Sequence, residues 1–133
     1  MDSFLLSIDT TGRTVIDLTD DVRRFCRDHG DGLVNAFAPH ATAGLALMEV
    51  GSGSEADLQD VLTRLLPRED RYVHRHGAIG HGADHVLPVF VSPSLTVPVL
   101  EGRPLLGTWQ SVVLIDTNSD NPRRQVRLSF VEG

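Results

Sequence analysis

Short apolar or alternating segments separated by turn residues dominate the sequence, and this pattern predicts a protein rich in β-strands. Residues 3–8 (SFLLSI) form an apolar run and residues 14–19 (TVIDLT) alternate, with Thr11 and Gly12 between them. Two such runs joined by a short glycine-containing loop are typical of a β-hairpin. We therefore expect these two segments to pair with each other.

Further segments have the length and composition of strands: residues 33–38, 43–50, 95–100, 106–115 and 125–131. Residues 43–50 (AGLALMEV) contain good helix formers, but the segment is short and flanked by turn residues, which favours a strand. Pro98 cannot donate to a sheet ladder, so residues 95–100 are predicted to be an edge strand or to contain a bulge. Residues 116–123 are read as a polar turn.

Two segments have helical signals. Residues 20–30 (DDVRRFCRDHG) follow a capping residue, begin with acidic side chains and end at a glycine. Residues 55–67 (EADLQDVLTRLLP) place leucine and valine on one face and stop at Pro67. Residues 84–91 could be a short helix or a strand, because Pro88 argues against a long helix. The pattern predicts the α+β class, mostly antiparallel, with a two-sheet core.

Composition narrows the classes of function. The chain has 133 residues, which favours one domain, and a net charge of −6 with arginine as its only strongly basic residue type. Without lysine, a Schiff base and a P-loop are excluded. An acidic chain without a basic run is a poor nucleic-acid binder, although an arginine cluster can still bind a small anion.

No apolar run is long enough to span a membrane, and residues 1–10 do not have the pattern of a secretory signal. Together with the single cysteine, Cys26, these features predict a cytoplasmic protein without a membrane partner. Cys26 is expected to face the core of the first helix rather than to act as a nucleophile.

Histidines concentrate in one stretch of the chain, at His74, His76, His81 and His85. His74 and His76 would lie on one side of an extended segment, and His81 and His85 would share a face of a helix. Three converging imidazoles are the ligand set of an open zinc site. The alternative is an exposed histidine-rich loop, and His29 and His76 taken singly are expected at the surface.

Other polar residues allow two interpretations each. Glu49 either ends its strand at the surface or has a role in the site, as a hydrogen-bond partner of a histidine or as a general base. Arg123, Arg124 and Arg127 either form a solvated edge or clamp an anion. Trp109 and Gln110 are adjacent on a predicted strand and would therefore face opposite sides.

Several segments resemble the YjbQ-like family, also called the secondary thiamine-phosphate synthase family. They are HATAG at 40–44, Glu49, the DLQDVLTRLLP helix, Tyr72-x-His74, His85, the segment from SPSLTVPVL to GTWQSVVLID and the terminal R-x-x-V-R pattern. The chain departs from the family at Ala41, where a hydroxyl residue is usual, and at Asp116, where glutamate is usual.

The resemblance implies a seven-stranded two-sheet β-sandwich with two main helices, assembled as a homotrimer. It also implies a pocket where His40, His74 and His85 hold a divalent metal, most simply zinc, and it leaves His81 outside. From the matching segments we assign catalysis to Glu49 and Arg127. Contacts to the substrate are assigned to Thr42, Ser94, Trp109 and Gln110.

The leading hypothesis is a small trimeric protein with a three-histidine metal pocket, acting on a small phosphorylated or otherwise anionic molecule. The resemblance implies a weak thiamine-phosphate synthase activity. The rival hypotheses are a binding module without turnover, or a trimeric scaffold whose histidines have no ligand.

Overall fold

The chain has the α+β architecture that the sequence predicted, with more elements than expected. The computed structural model describes residues 1–69, 71–74, 77 and 79–133. In this part of the chain the strands are β1 (Asp2–Asp9), β2 (Val15–Asp17), β3 (Gly32–Phe37), β4 (Ala43–Met48), β5 (Ser94–Leu100), β6 (Arg103–Pro104), β7 (Ser111–Asp116) and β8 (Arg123–Glu132). The helices are α1 (Thr19–Cys26), α2 (Ser54–Leu65) and α3 (His81–Phe90).

The strands form two antiparallel sheets. One sheet has the order β1-β8-β3-β5-β6 and the other has the order β2-β7-β4. The predicted hairpin of residues 3–8 and 14–19 is therefore wrong, because β1 pairs with β8 and β2 pairs with β7. Residues 10–14 carry the chain from one sheet to the other, and a turn signal in the sequence does not distinguish such a crossing from a hairpin.

Two hydrophobic clusters arrange the chain in three layers. The first lies between the sheets and includes Val34, Leu114 and Leu128. The second joins α2 and α3 to the opposite face of the three-stranded sheet, through residues such as Leu62 and Leu87. Strand β7 contributes to both clusters, with Val112 and Leu114 in the first and Val113 and Ile115 in the second. The layer order, sheet then sheet then helices, places α3 on the outside of the molecule.

The strand predicted for residues 106–115 begins only at Ser111. Residues 107–110 form a turn instead, closed by a bond from the Gly107 N–H to Gln110 Oε1 at 2.8 Å. Trp109 lies in this turn with 73% of its surface exposed. The prediction that Trp109 and Gln110 lie on a strand is therefore wrong.

The ambiguous residues 84–91 belong to a helix. Ala83 and Leu87 are buried in the second cluster one turn apart, and this packing determines the conformation. Pro88 is tolerated because it lies near the end of α3, where its missing N–H removes one bond, to the Asp84 carbonyl. Within the described part of the chain, no helix has the length and apolar character needed to cross a membrane.

Cys26 faces the core, as predicted, and burial raises the pKa of its thiol to about 11. The reactive thiolate is therefore absent at neutral pH and forms only as pH approaches that value. We expect native protein to resist iodoacetamide at about pH 8 and to be alkylated in urea, as followed by mass spectrometry. Rapid alkylation of the native protein would contradict the buried position.

Candidate metal centre

Three histidines meet beside the first turn of α3. Ring nitrogens of His74, His81 and His85 all lie within 4.8 Å of one another. The ring centroids are 4.2 Å apart for His74 and His85, and 4.5 Å apart for His81 and His85. Helix α3 places His81 and His85 one turn apart on the same face, as the four-residue spacing allowed. In a tetrahedral zinc site two nitrogens lie about 3.3 Å apart, so small rotations would bring these rings to ligand positions.

His81 is oriented by a carboxylate. Its Nδ1 lies 2.8 Å from Asp120 Oδ2, and its Nε2 lies 2.9 Å from His85 Nε2. The His81 side chain is 13% exposed and Asp120 is 32% exposed, so solvent reaches this pair only in part. A histidine that donates one ring N–H to a carboxylate and directs its other nitrogen at a metal is the usual arrangement around bound metal ions.

His74 reaches the helix from the preceding loop because Gly82 has no side chain. A Cβ at Gly82 would lie 2.6 Å from the Tyr72 Cβ and 2.7 Å from the His74 carbonyl oxygen. The Tyr72 hydroxyl donates to the Pro67 carbonyl at 2.7 Å, which ties the same loop to the end of α2. The close approach of this loop to α3 brings the exposed His74 ring over the other two rings.

A buried carboxylate holds α3 in place between its two histidines. Asp84 is 1% exposed and accepts from Arg68 Nη1 at 2.6 Å and from Arg68 Nη2 at 3.2 Å. The Thr117 hydroxyl donates to it at 2.7 Å and Asn118 Nδ2 donates at 3.0 Å. The hydrogen bonds and charge of Asp84 raise the pKa of the Arg68 guanidinium above its ordinary value. The network fixes α3 to the loop that follows β7.

The observed group differs at one position from the predicted trio of His40, His74 and His85. The structure brings His74 and His85 together with His81, whereas His40 lies beside β8 and accepts the Gln125 N–H at 2.9 Å. Burial, followed by the charge of Arg124, lowers the pKa of His40 below its ordinary value. A neutral ring at pH 7 is what this acceptor role requires. His76 lies outside the described residues.

Neither of the two residues predicted to be catalytic belongs to the three-histidine group within one chain. Glu49 is exposed directly after β4. Arg127 lies on the outward face of the five-stranded sheet, where its Nη1 donates to Ser3 Oγ at 2.7 Å. Arg127 therefore lies on the side of the molecule opposite the helical layer that carries the histidines.

The residues predicted to contact substrate are also dispersed. Thr42 is buried, and its hydroxyl accepts from Arg124 Nη2 at 2.7 Å. Ser94 begins β5 at the surface, where its hydroxyl accepts from Asn35 Nδ2 at 3.0 Å. Trp109 and Gln110 lie in the turn before β7. Within one chain, none of these four residues belongs to the histidine group.

Sequence reasoning missed a buried ion pair. Arg124 Nε donates to Asp116 Oδ2 at 2.6 Å and Nη2 donates to Oδ1 at 3.1 Å, with Arg124 3% exposed. Arg124 is therefore neither a solvated edge residue nor an open anion clamp. The sequence contained a sign of this burial, because Arg124 alternates with Val126 and Leu128. Both of these residues are buried, so the alternation places Arg124 on the inward face of β8.

Comparison with known proteins identifies relatives along the whole chain. The profile of the UPF0047 protein YjbQ-like family matches residues 5–133. The UPF0047 protein Rv2556c of Mycobacterium tuberculosis is 66% identical over 133 residues, which cover 100% of both chains. The UPF0047 protein YugU of Bacillus subtilis is 32% identical over 124 residues, which cover 89% of each chain.

Solved structures show the same fold. The hypothetical protein APE1520 from Aeropyrum pernix K1 superposes with a TM-score of 0.90 at 23% identity, covering 100% of both chains. The conserved hypothetical protein TT1486 from Thermus thermophilus gives a TM-score of 0.83 at 26% identity, covering 96% of this chain and 99% of that one. The resemblance drawn from sequence motifs is confirmed, and the chain belongs to the YjbQ-like UPF0047 family.

Proposed function

We propose that the protein holds a divalent metal ion, with zinc as the first candidate, on His74, His81 and His85. The observation that carries this proposal is the approach of three imidazoles within 4.8 Å. Three histidines with an open fourth position are the ligand set of catalytic zinc. The donor set fits because nitrogen ligands suit zinc and because Asp120 already orients one ring.

A small phosphorylated or otherwise anionic molecule is the proposed ligand. His74 is exposed, so the group opens toward solvent on that side, while His81 and His85 are partly buried. A bound metal would polarise a phosphate oxygen or lower the pKa of a bound water. The chain would then be a metal-dependent enzyme, with the weak thiamine-phosphate synthase activity that the family resemblance implies as one reaction to test.

A second candidate is a metal- and metabolite-binding module without turnover. It is favoured by the positions of Glu49 and Arg127, because neither supplies a base or a cation to the histidine group within one chain. The two candidate functions share the metal site and differ only in whether the bound molecule is converted to a product. Zinc-loaded protein should therefore be incubated with phosphate monoesters, diphosphates and the thiamine-phosphate precursors. Product formation that His85→Ala abolishes supports the enzyme, whereas saturable binding without product supports the module.

Acidification is expected to release the metal. Imidazole is a ligand only when it is neutral, so protons compete with the metal as pH falls below about 6.5. We expect about one zinc per chain by elemental analysis after dialysis near pH 7.5 and a large loss after dialysis near pH 5. Circular dichroism at both pH values shows whether the fold is retained. A metal content unchanged at the lower pH in folded protein would contradict a histidine-only site.

We expect a homotrimer in solution, in line with the family resemblance. The outward face of the five-stranded sheet exposes the apolar side chains of Leu5, Leu33, Phe37 and Val131, and exposed apolar surface grouped on one face marks an interaction site. Light scattering should give three times the 14.5 kDa chain mass. Phe37→Arg should lower this mass, whereas Val61→Arg on the exposed side of α2 should not. A monomer mass for the unaltered chain would contradict the trimer.

A further inference from the structure

We infer that the loop between β7 and β8 positions His81 for metal binding, with Asp120 as the residue that fixes the protonation of its ring. This inference rests on the proposed metal site and adds to it. It concerns residues 117–121, to which the sequence assigned only a polar turn. Asp120 would act through His81 and would not itself be a ligand.

The hydrogen bond between His81 and Asp120 has a defined direction. A carboxylate oxygen accepts and does not donate, so the Asp120 Oδ2 contact at 2.8 Å requires the proton of the His81 ring on Nδ1. Which nitrogen of a neutral histidine keeps its lone pair depends on the hydrogen bond that the other nitrogen makes. With Nδ1 protonated, the lone pair of Nε2 is directed at His85 and at the proposed metal position.

The loop that carries Asp120 is held in place by several hydrogen bonds. Asn118 is 8% exposed, and its Oδ1 accepts the N–H groups of Asp120 at 3.0 Å and Asn121 at 3.2 Å. Its own N–H donates to Asp116 Oδ1 at 2.9 Å, and its Nδ2 donates to Asp84 Oδ2 at 3.0 Å. Through its side chain and its backbone N–H, Asn118 therefore ties the backbone of Asp120 to two buried carboxylates, one on β7 and one on α3.

The histidine–carboxylate pair is closely packed against Gly77. Gly77 has a φ of +82°, and a Cβ there would lie 2.8 Å from Asp120 Oδ2 and 2.9 Å from His81 Cγ. Gly77, which has no side chain, therefore lies directly against the Asp120–His81 bond. A bond covered in this way is harder for water to replace, which favours a single orientation of the ring.

Together these contacts predict that Asp120 prepares the site before any metal binds. Removing the carboxylate takes away the acceptor that keeps the proton on Nδ1, so the tautomer with the proton on Nε2 becomes accessible. That proton must then move before a metal binds, and the ring loses a fixed orientation. Loss of a residue that hydrogen-bonds to a metal ligand typically weakens metal affinity by about 10- to 100-fold.

The test compares Asp120→Ala with Asp20→Ala, which removes the same charge from an exposed position on α1. Two quantities are measured on full-length protein: zinc affinity by competition with a chelator, and the tautomer of His81 in metal-free protein. The tautomer is read from long-range proton–nitrogen NMR spectra, which distinguish a protonated from an unprotonated ring nitrogen. His81→Gln identifies the His81 signals.

We expect His81 to be protonated on Nδ1 in the unaltered chain and in Asp20→Ala, and on Nε2 to a large extent in Asp120→Ala. Zinc affinity should fall about 10- to 100-fold in Asp120→Ala alone. An unchanged tautomer in Asp120→Ala, or a zinc affinity equal to that of Asp20→Ala, would overturn the inference. Absence of zinc binding by the unaltered chain would instead overturn the proposed function, and the tautomer would still report on the role of Asp120.

Discussion

Zinc binding should fall by more than about 100-fold when any one of His74, His81 and His85 is replaced by alanine. Each replacement removes a direct metal ligand, so the loss of zinc affinity should exceed the loss caused by removing a hydrogen-bond partner of a ligand. The measurement is metal content and chelator competition on purified variants, with circular dichroism to confirm folding. His29→Ala is the control, because His29 stacks on Phe130 and bonds to the Phe25 carbonyl, outside the histidine group.

The His40→Ala variant distinguishes between two possible ligand sets, the observed group and the trio implied by the family resemblance. The geometry of one chain predicts that this variant keeps its zinc, because His40 is hydrogen-bonded to Gln125 and is not a member of the group. Loss of zinc in His40→Ala together with its retention in His81→Ala would contradict the site described above. It would support the trio of His40, His74 and His85 instead.

The largest loss of stability is expected from Arg124→Ala. The change leaves Asp116 buried without its bidentate partner, and breaking a buried pair on one side typically costs about 3–5 kcal/mol. Arg123→Ala is a matched control on the exposed neighbouring position, and surface changes of this kind usually lie within about 0.5 kcal/mol. Urea unfolding followed by circular dichroism gives both free energies. Equal unfolding free energies for the two variants would show that the Arg124–Asp116 pair does not stabilise the fold.

The sequence predicted those parts of the fold that depend on local patterns. The apolar spacing of residues 55–67 predicted α2, and the inward position of Cys26 followed from the first helix. The pairing of β1 was not predictable in the same way, because its partner β8 is remote in sequence and a turn signal at Gly12 suits a hairpin equally well. Pairing between distant strands depends on how both sheets share one core.

The candidate site was predicted only in part, for a similar reason. The clustering of histidines and the spacing of His81 and His85 followed from the sequence, and both residues lie in the observed group. Asp120 could not be found, because it lies 39 positions from His81 and no local pattern marks it. Arg124 was expected either on a solvated edge or in an anion clamp, because charged residues are rarely buried, although its alternation with Val126 placed it inward.

The position of β8 has a consequence for synthesis of the chain on the ribosome. Strand β8 lies between β1 and β3, and Ser3 meets Arg127 across 124 positions of sequence. Until residues 123–132 have left the exit tunnel, β1 has no sheet partner and β3 presents an unpaired edge. Unpaired edges in incomplete chains are exposed to aggregation, and pairings of such long range form slowly. A nascent chain that stops before residue 123 therefore has β1 and β3 available to other proteins, including chaperones.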